Sequence, residues 1–223
     1  MTHEVVILAG GQGNRMASEL PKPLVLVKGK AIINHQIDYF LGKVKKIIIS
    51  LGHRAPEVKK AIQLQYKNNP ALVFAQEEKP LGTAGGIKNA AKQAAAPYVI
   101  VLNCDDITDI PLKTLCKIKE NTICVAHPIL PFGLIQEREG YAIFKEKPKL
   151  ESWVSLGWYV LNRQDIILKF PNEGSVEYEV FPRLKFRLYK HKGLWHPLNT
   201  KKDIIEFEAL IPPARARGLN KTR

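Results

Sequence analysis

Three glycines, one arginine and one lysine near the start of the chain have the types and spacing to hold phosphate. In "VVILAGGQGNRMASELPKPL", residues 5–24, a short apolar run passes directly into Gly10, Gly11 and Gly13. Arg15 follows, and then Lys22 between Pro21 and Pro23. Glycines let a backbone approach a ligand closely and turn its N–H groups toward it. A guanidinium grips phosphate oxygens with its fork, while an ammonium adds a point charge. A polyphosphate suits such a loop better than a neutral ligand, and the same glycines would also serve a tight strand-to-loop turn. Two common phosphate loops are excluded. Met16 occupies the third glycine position of a G-x-G-x-x-G begun at Gly11, and Pro21 and Pro23 interrupt any helix there. No Gly-Lys-Ser/Thr follows the glycines either.

Other chemistries find less support. Cys104, Cys116 and Cys124 are odd in number and have no C-x-x-C pairing, which argues against a disulfide frame or a zinc site. His191 and His196 lack metal-ligand spacing. The net charge of +13 points to an acidic ligand or partner. Its lysines and arginines are spread without aromatic interleaving, so nucleic acid is not expected as a partner. No apolar run approaches the roughly 20 residues of a membrane span, and "MTHEVVILAGG" does not read as a signal peptide. A cytoplasmic location is the expectation.

The elements that must position the loop follow from the apolar pattern. Val5–Ala9, Ile47–Leu51, Leu72–Ala75 and Tyr98–Leu102 read as short strands buried on both faces. Between them, Ile33, Ile37, Phe40 and Leu41 share one helical face. A second helix is predicted from Pro56 to about Tyr66, and a third from Thr83 through "AGGIKNAAKQAA". This βαβα alternation predicts a largely parallel sheet covered by helices. Beyond residue 110 the pattern loosens. Helices are predicted near Leu112–Lys119, Arg163–Phe170, Tyr178 and Lys201–Leu210, and strands near Ile123–His127 and Trp153–Leu161. With 223 residues and no dividing linker, one domain over residues 1–211 is expected, followed by a basic, mobile tail at 212–223.

"LAGGQGNRM…PKP" resembles the opening signature of the sugar-phosphate nucleotidyltransferases. Further likenesses follow in order: "GKAIINHQIDYF", "EEKPLGTAGGIKNA", "LNCDDITD", "FKEKPK", "LGWYVLN", "VEYEVFPRL" and "GLWHPLNTKKD". The resemblance implies a Rossmann-like three-layer α/β/α fold with a mainly parallel mixed sheet. It implies transfer of a nucleoside monophosphate from a nucleoside triphosphate to a sugar 1-phosphate, with release of pyrophosphate. Gly10, Gly11 and Gly13 would cradle the triphosphate, Arg15 would hold its phosphates, and Lys22 would steady the α-phosphate and the leaving group. Gln76 and Gly82, with Thr83, would meet the nucleotide. Asp105 would hold Mg²⁺. Gly140, Glu146 and Glu177 would contact the sugar, and Lys147 its phosphate. The partners are then the two substrates, with no nucleic acid and no membrane, and with a homo-oligomer left open.

This agrees with the chemistry the residues suggest. An ionised phosphate oxygen attacking phosphorus in line needs two repelling anions held together and the added charge neutralised. Arg15, Lys22, Lys147 and a magnesium ion on Asp105 suit that task. The closing motif departs from the family pattern, because Pro197 and Asn199 stand where a second metal aspartate is expected. "WHPLNT" is closest to the glucose-1-phosphate cytidylyltransferase form. Asn199 would be a weak ligand, Asp203 would reach in, or the metal would rest on Asp105 and substrate phosphates; the last is the favoured arrangement. Two alternatives stand beside the main reading: transfer to a non-sugar phosphorylated alcohol, and a silent relative that only binds a nucleotide sugar.

Overall fold

The structure is a computed structural model that describes residues 3–210. The expected tail at 212–223 lies outside the described residues. In chain order the first half contains β1 (Glu4–Leu8), β2 (Leu26–Val27), β3 (Lys30–Ala31), α1 (Ile32–Phe40), β4 (Lys46–Leu51), α2 (Ala55–Gln65), β5 (Leu72–Gln76), α3 (Gly82–Ala91), β6 (Tyr98–Asn103) and β7 (Asp106–Thr108). The second half contains α4 (Leu112–Leu115), β8 (Thr122–Ala126), β9 (Leu134–Arg138), β10 (Tyr141–Lys145), β11 (Val154–Asn162), α5 (Arg163–Lys169), α6 (Val176–Glu179), β12 (Arg187–Lys190), β13 (Trp195–Pro197) and α7 (Lys201–Leu210).

Seven strands form the central sheet in the order β12-β8-β11-β6-β1-β4-β5. All neighbours are parallel except β11, which runs antiparallel to both β6 and β8. The alternation of side chains along each strand splits the core in two. Val5 and Ile7 pack with Ile33, Ile37 and Phe40 of α1 and Val58 and Ile62 of α2 on one face. Val6 packs with Ala84, Ile87 and Ala90 of α3 and Ile166 of α5 on the other. The result is a three-layer α/β/α architecture with a mainly parallel sheet. A third, smaller cluster joins Met16, Val27 and Ile32 to Leu198, Ile204 and Phe207, and so seats α7 beside the glycine loop.

The structure corrects the sequence-based expectations in several places. Leu72–Ala75 lies at the sheet edge, where Val73 and Phe74 stay half-buried rather than covered on both faces. The helix predicted at Leu112–Lys119 is a single turn, Leu112–Leu115. Residues 134–145 form an unforeseen two-stranded hairpin, and β7 pairs with β13 in a separate ribbon. No described helix is long and apolar enough to cross a membrane.

One buried carboxylate ties the first strand to the turn before β6. Glu4 is 1% exposed, and its Oε2 accepts the backbone N–H of Ala95 and, at 2.8 Å, that of Ala96. Lys46 Nζ lies 3.5 Å from its other oxygen. Burial pushes the carboxyl up, but these amides and Lys46 outweigh it and hold the group below its usual value. A lowered folded value stabilises the protein above the unfolded value of about 4.3 and loses that stabilisation as pH falls through the folded one. Glu4→Gln is therefore expected to destabilise the fold by about 1–2 kcal/mol at pH 7. In urea unfolding the gap between variant and wild type should close as the pH is lowered through the acid range. A gap that did not change with pH would rule this account out.

Candidate active site

The cleft opens where parallel strands end, the position at which open α/β sheets bind ligands. The ends of β1, β4, β5 and β6 border a space of about 1030 Å³ that contains Gly10, Gly11, Gly13, Arg15, Lys22, Gly82, Thr83, Asp105 and Asn199. A second hollow of about 570 Å³, around Lys92 and Arg163, lies at the opposite end of the sheet and holds none of these residues.

Each wall has a local cause. After β1 the chain leaves the sheet at Gly10 and makes a 3-10 turn at Asn14–Met16, which buries Met16 and puts Arg15 at the exposed rim. A second 3-10 turn, Lys22–Leu24, begins after Pro21 and buries Pro23, so the lysine stem leaves a rigid support. Gly13 is required by that stem. Its φ is +67°, and a Cβ there would stand 2.6 Å from Lys22 Cβ.

Lys22 Nζ forms an ion pair with Asp105 Oδ2 and lies 3.3 Å from Asn199 Oδ1. The two oxygens converge because the backbones are joined: Leu198 N–H donates to Asp105 O at 2.8 Å, and β13 pairs with β7. Asp106, next in sequence, turns into the core and is 8% exposed. Its Oδ2 accepts from Asn103 Nδ2 at 2.9 Å and its Oδ1 from Trp195 Nε1 at 3.0 Å. Burial, reinforced by the charge of Asp105, pushes its carboxyl up to about 6, with Asn103, Trp195 and Lys22 pulling the other way. Trp158 Nε1 donates to Asp106 O at 2.9 Å, and its ring packs against Phe40 with centroids 5.6 Å apart. Such aromatic pairs add about 0.5–1.5 kcal/mol beyond burial, so the core holds the acidic strand end in place. Burial, with Asp105 beside it, raises the Cys104 thiol well above its usual value, which leaves it unsuited to act as a nucleophile.

A carboxylate that the sequence did not single out lies in the opposite wall. Glu77 follows β5 and lines the cleft, whereas Gln76 is exposed and absent from the lining. Cβ atoms built on Gly10, Gly52 and Gly86 would all stand within 3.3 Å of a Glu77 carboxylate oxygen. Ser50 Oγ donates to Oε1 at 3.3 Å and Leu81 N–H to Oε2 at 3.1 Å. Each oxygen keeps a lone pair for a further donor. The residue after β5 that lines the cleft is thus Glu77, one position beyond the Gln76 expected to meet the nucleotide.

The expected sugar-side residues are not brought into the cleft lining. Gly140 forms the hairpin turn with Glu139, both at positive φ. Glu146 is exposed, and Lys147 pairs with Glu206 of α7 at 3.3 Å. Glu177 folds back on its own helix cap but also accepts from Thr83 Oγ1 at 3.3 Å, so it stands next to the rim. Asp203 does not reach in: its Oδ2 accepts the backbone N–H of Asn199 and Thr200 at 2.9 and 2.7 Å. Among the described residues no three His, Cys, Asp or Glu side chains converge as a metal cage. Asp105 and Asn199 do fit a hard cation as a pair of oxygen donors, because the Lys22 ammonium already lies between them.

Comparison with known proteins agrees with this architecture. The family model described as nucleotidyl transferase matches residues 4–179. The catalytic subunit beta of mannose-1-phosphate guanylyltransferase from Drosophila melanogaster is 31% identical over 90% of this chain and 60% of its own length. A mannose-1-phosphate guanyltransferase from Yarrowia lipolytica is 32% identical over 92% of this chain and 63% of its own. The chain thus spans less than two thirds of the curated relatives it matches. The crystal structure of HddC from Yersinia pseudotuberculosis superposes with a TM-score of 0.76 at 25% identity, covering 93% of this chain and 99% of that one. The Drosophila and Yarrowia relatives carry guanylyltransferase and guanyltransferase names, and neither bears the cytidylyltransferase name that the closing motif suggested. With the family model covering most of the chain, the protein belongs to the nucleotidyl transferase family.

Proposed function

We propose that the cleft transfers a guanylyl group from GTP to a hexose 1-phosphate, with mannose 1-phosphate as the first acceptor to test, to give a GDP-sugar and pyrophosphate. The observation that carries the choice of base is Glu77. Guanine is the base whose Watson–Crick edge presents two adjacent donors, N1–H and the 2-amino group. A carboxylate accepts both, whereas adenine, cytosine and uracil would each set an acceptor against it. An acidic side chain in a polyphosphate cleft must be offset by a ligand with such donors, since it repels the phosphates. The guanylyltransferase relatives support the same base and suggest the acceptor.

The reaction follows from the charges that surround the cleft. A phosphate oxygen of the sugar 1-phosphate forms a bond to the α-phosphorus, and the bond from that phosphorus to the oxygen bridging the α- and β-phosphates breaks, so that pyrophosphate leaves with that oxygen. Gly11, beside which a Cβ would meet open space, offers its backbone N–H to the triphosphate. Arg15 and Lys22 offset the charge on the attacked and leaving groups, with no protein base required. Asp105 and Asn199 would hold Mg²⁺, which when bound polarises phosphoryl oxygens as a Lewis acid. The sugar phosphate is assigned to the side of Thr83 and Glu177, with Lys147 released from Glu206 to meet it.

Pyrophosphate release, measured with ATP, CTP, GTP, UTP and dTTP against several hexose 1-phosphates, tests this reading. The highest kcat/KM is expected for GTP. A higher value with another base, or no release from folded protein, would reject it.

A further inference from the structure

In the free protein the place that suits a divalent cation is already filled by a side chain. Lys22 Nζ contacts Asp105 Oδ2 and Asn199 Oδ1, and the Lys22 and Asp105 side chains are only 13% and 21% exposed. The backbones that carry these oxygens are tied down: Asn199 donates its N–H to Asp203, and Asp105 accepts at its carbonyl from Leu198. The lysine is pinned at its base as well, by Pro21, Pro23 and the close approach of Gly13. Its four-carbon stem is the remaining freedom. An ammonium and a divalent cation a few ångströms apart in a half-buried wall repel each other strongly. They cannot share this seat.

We propose that Lys22 is the resident counter-cation of the Asp105–Asn199 seat, and that it excludes divalent cations until nucleotide phosphates draw it away. The same ammonium then serves twice. Without nucleotide it neutralises Asp105, which stands beside the buried Asp106. With nucleotide it moves to the phosphates and leaves both oxygens free. Binding of cation and nucleotide is thereby coupled through one side chain, and the free protein is kept from trapping a metal unproductively. Asn199 fits this device, because a neutral amide shares the seat with the lysine without fixing it as a second carboxylate would.

The test is a Mn²⁺ titration of the full chain without nucleotide, read by the electron paramagnetic resonance of free Mn²⁺. Lys22→Met is expected to bind Mn²⁺ about tenfold or more tighter than wild type. Adding Asp105→Asn to Lys22→Met should abolish the gain and so locate it. Lys22→Gln provides the same comparison if the methionine variant melts early. Equal Mn²⁺ affinity in wild type and the folded Lys22 variants would overturn the proposal, as would a gain that survives Asp105→Asn. The inference rests on the cleft being a nucleotide site, yet its readout is separate. Failure of GTP turnover with the Mn²⁺ difference intact would remove the guanylyl reading and leave the lysine's exclusion of metal standing.

Discussion

Lys22→Ala is expected to lower kcat for pyrophosphate release by about 10²–10³-fold, with a smaller change in the KM for GTP. The asymmetry follows from where the charge appears. The triphosphate already has several donors along the glycine loop and Arg15 in the ground state, so binding survives. As the bond to the leaving group breaks, charge accumulates where a single ammonium on a short, supported stem can meet it. Asp105→Asn should produce a loss of similar size, because among the described residues Asp105 is the one carboxylate at the seat; Asn199 is neutral and Asp203 is committed to backbone N–H groups. Steady-state kinetics with thermal melts of both variants will separate chemistry from folding. Near-normal turnover in both would sink the assignment of this wall as the reacting one.

Glu77→Gln is expected to lower kcat/KM for GTP by about 10–100-fold while leaving activity with ITP nearly unchanged. The glutamine has almost the shape of the glutamate, so the space around Gly10, Gly52 and Gly86 is preserved. What changes is one acceptor, replaced by an amide N–H₂ that faces the base's own donor. ITP lacks the 2-amino group and thus one of the two donors that the carboxylate would take. Wild type should prefer GTP to ITP, and the variant should not. A wild type that prefers GTP together with a variant that keeps the full GTP-to-ITP ratio would show that the base is read elsewhere.

The architecture was largely legible because it rests on local signals. Val5–Ile7, Ile47–Ile49 and Val99–Leu102 are apolar, rich in β-branched residues and separated by helical spacing, and each became a strand of the sheet interior. The glycine loop, Arg15, Lys22 and Asp105 were legible through motif likeness, and the structure brings them into one cleft. Gln76 and Glu77 show where such reading stops. Side chains alternate across a strand, so which of two adjacent polar residues meets the cleft depends on where β5 ends. Sequence pattern fixes that to within a residue or two. The β7–β13 ribbon left no local trace, since it exists only through pairing of segments almost ninety residues apart. The 134–145 hairpin, exposed along both strands, has no burial to pattern it.

The contact between Lys22 and Asn199 joins positions 177 apart in the chain, which sets the order in which a working protein can come into being. During synthesis the glycine loop emerges early and the strands that flank it can pair as they follow. The acidic strand end waits, without its facing wall, until Trp195–Asn199 has left the ribosome and closed the longest loop in the site. No fragment that stops short of Asn199 has a complete seat. A nascent or clipped chain therefore presents the glycine loop and Lys22 without the Asn199 oxygen, and the seat is complete only once residue 199 is in place.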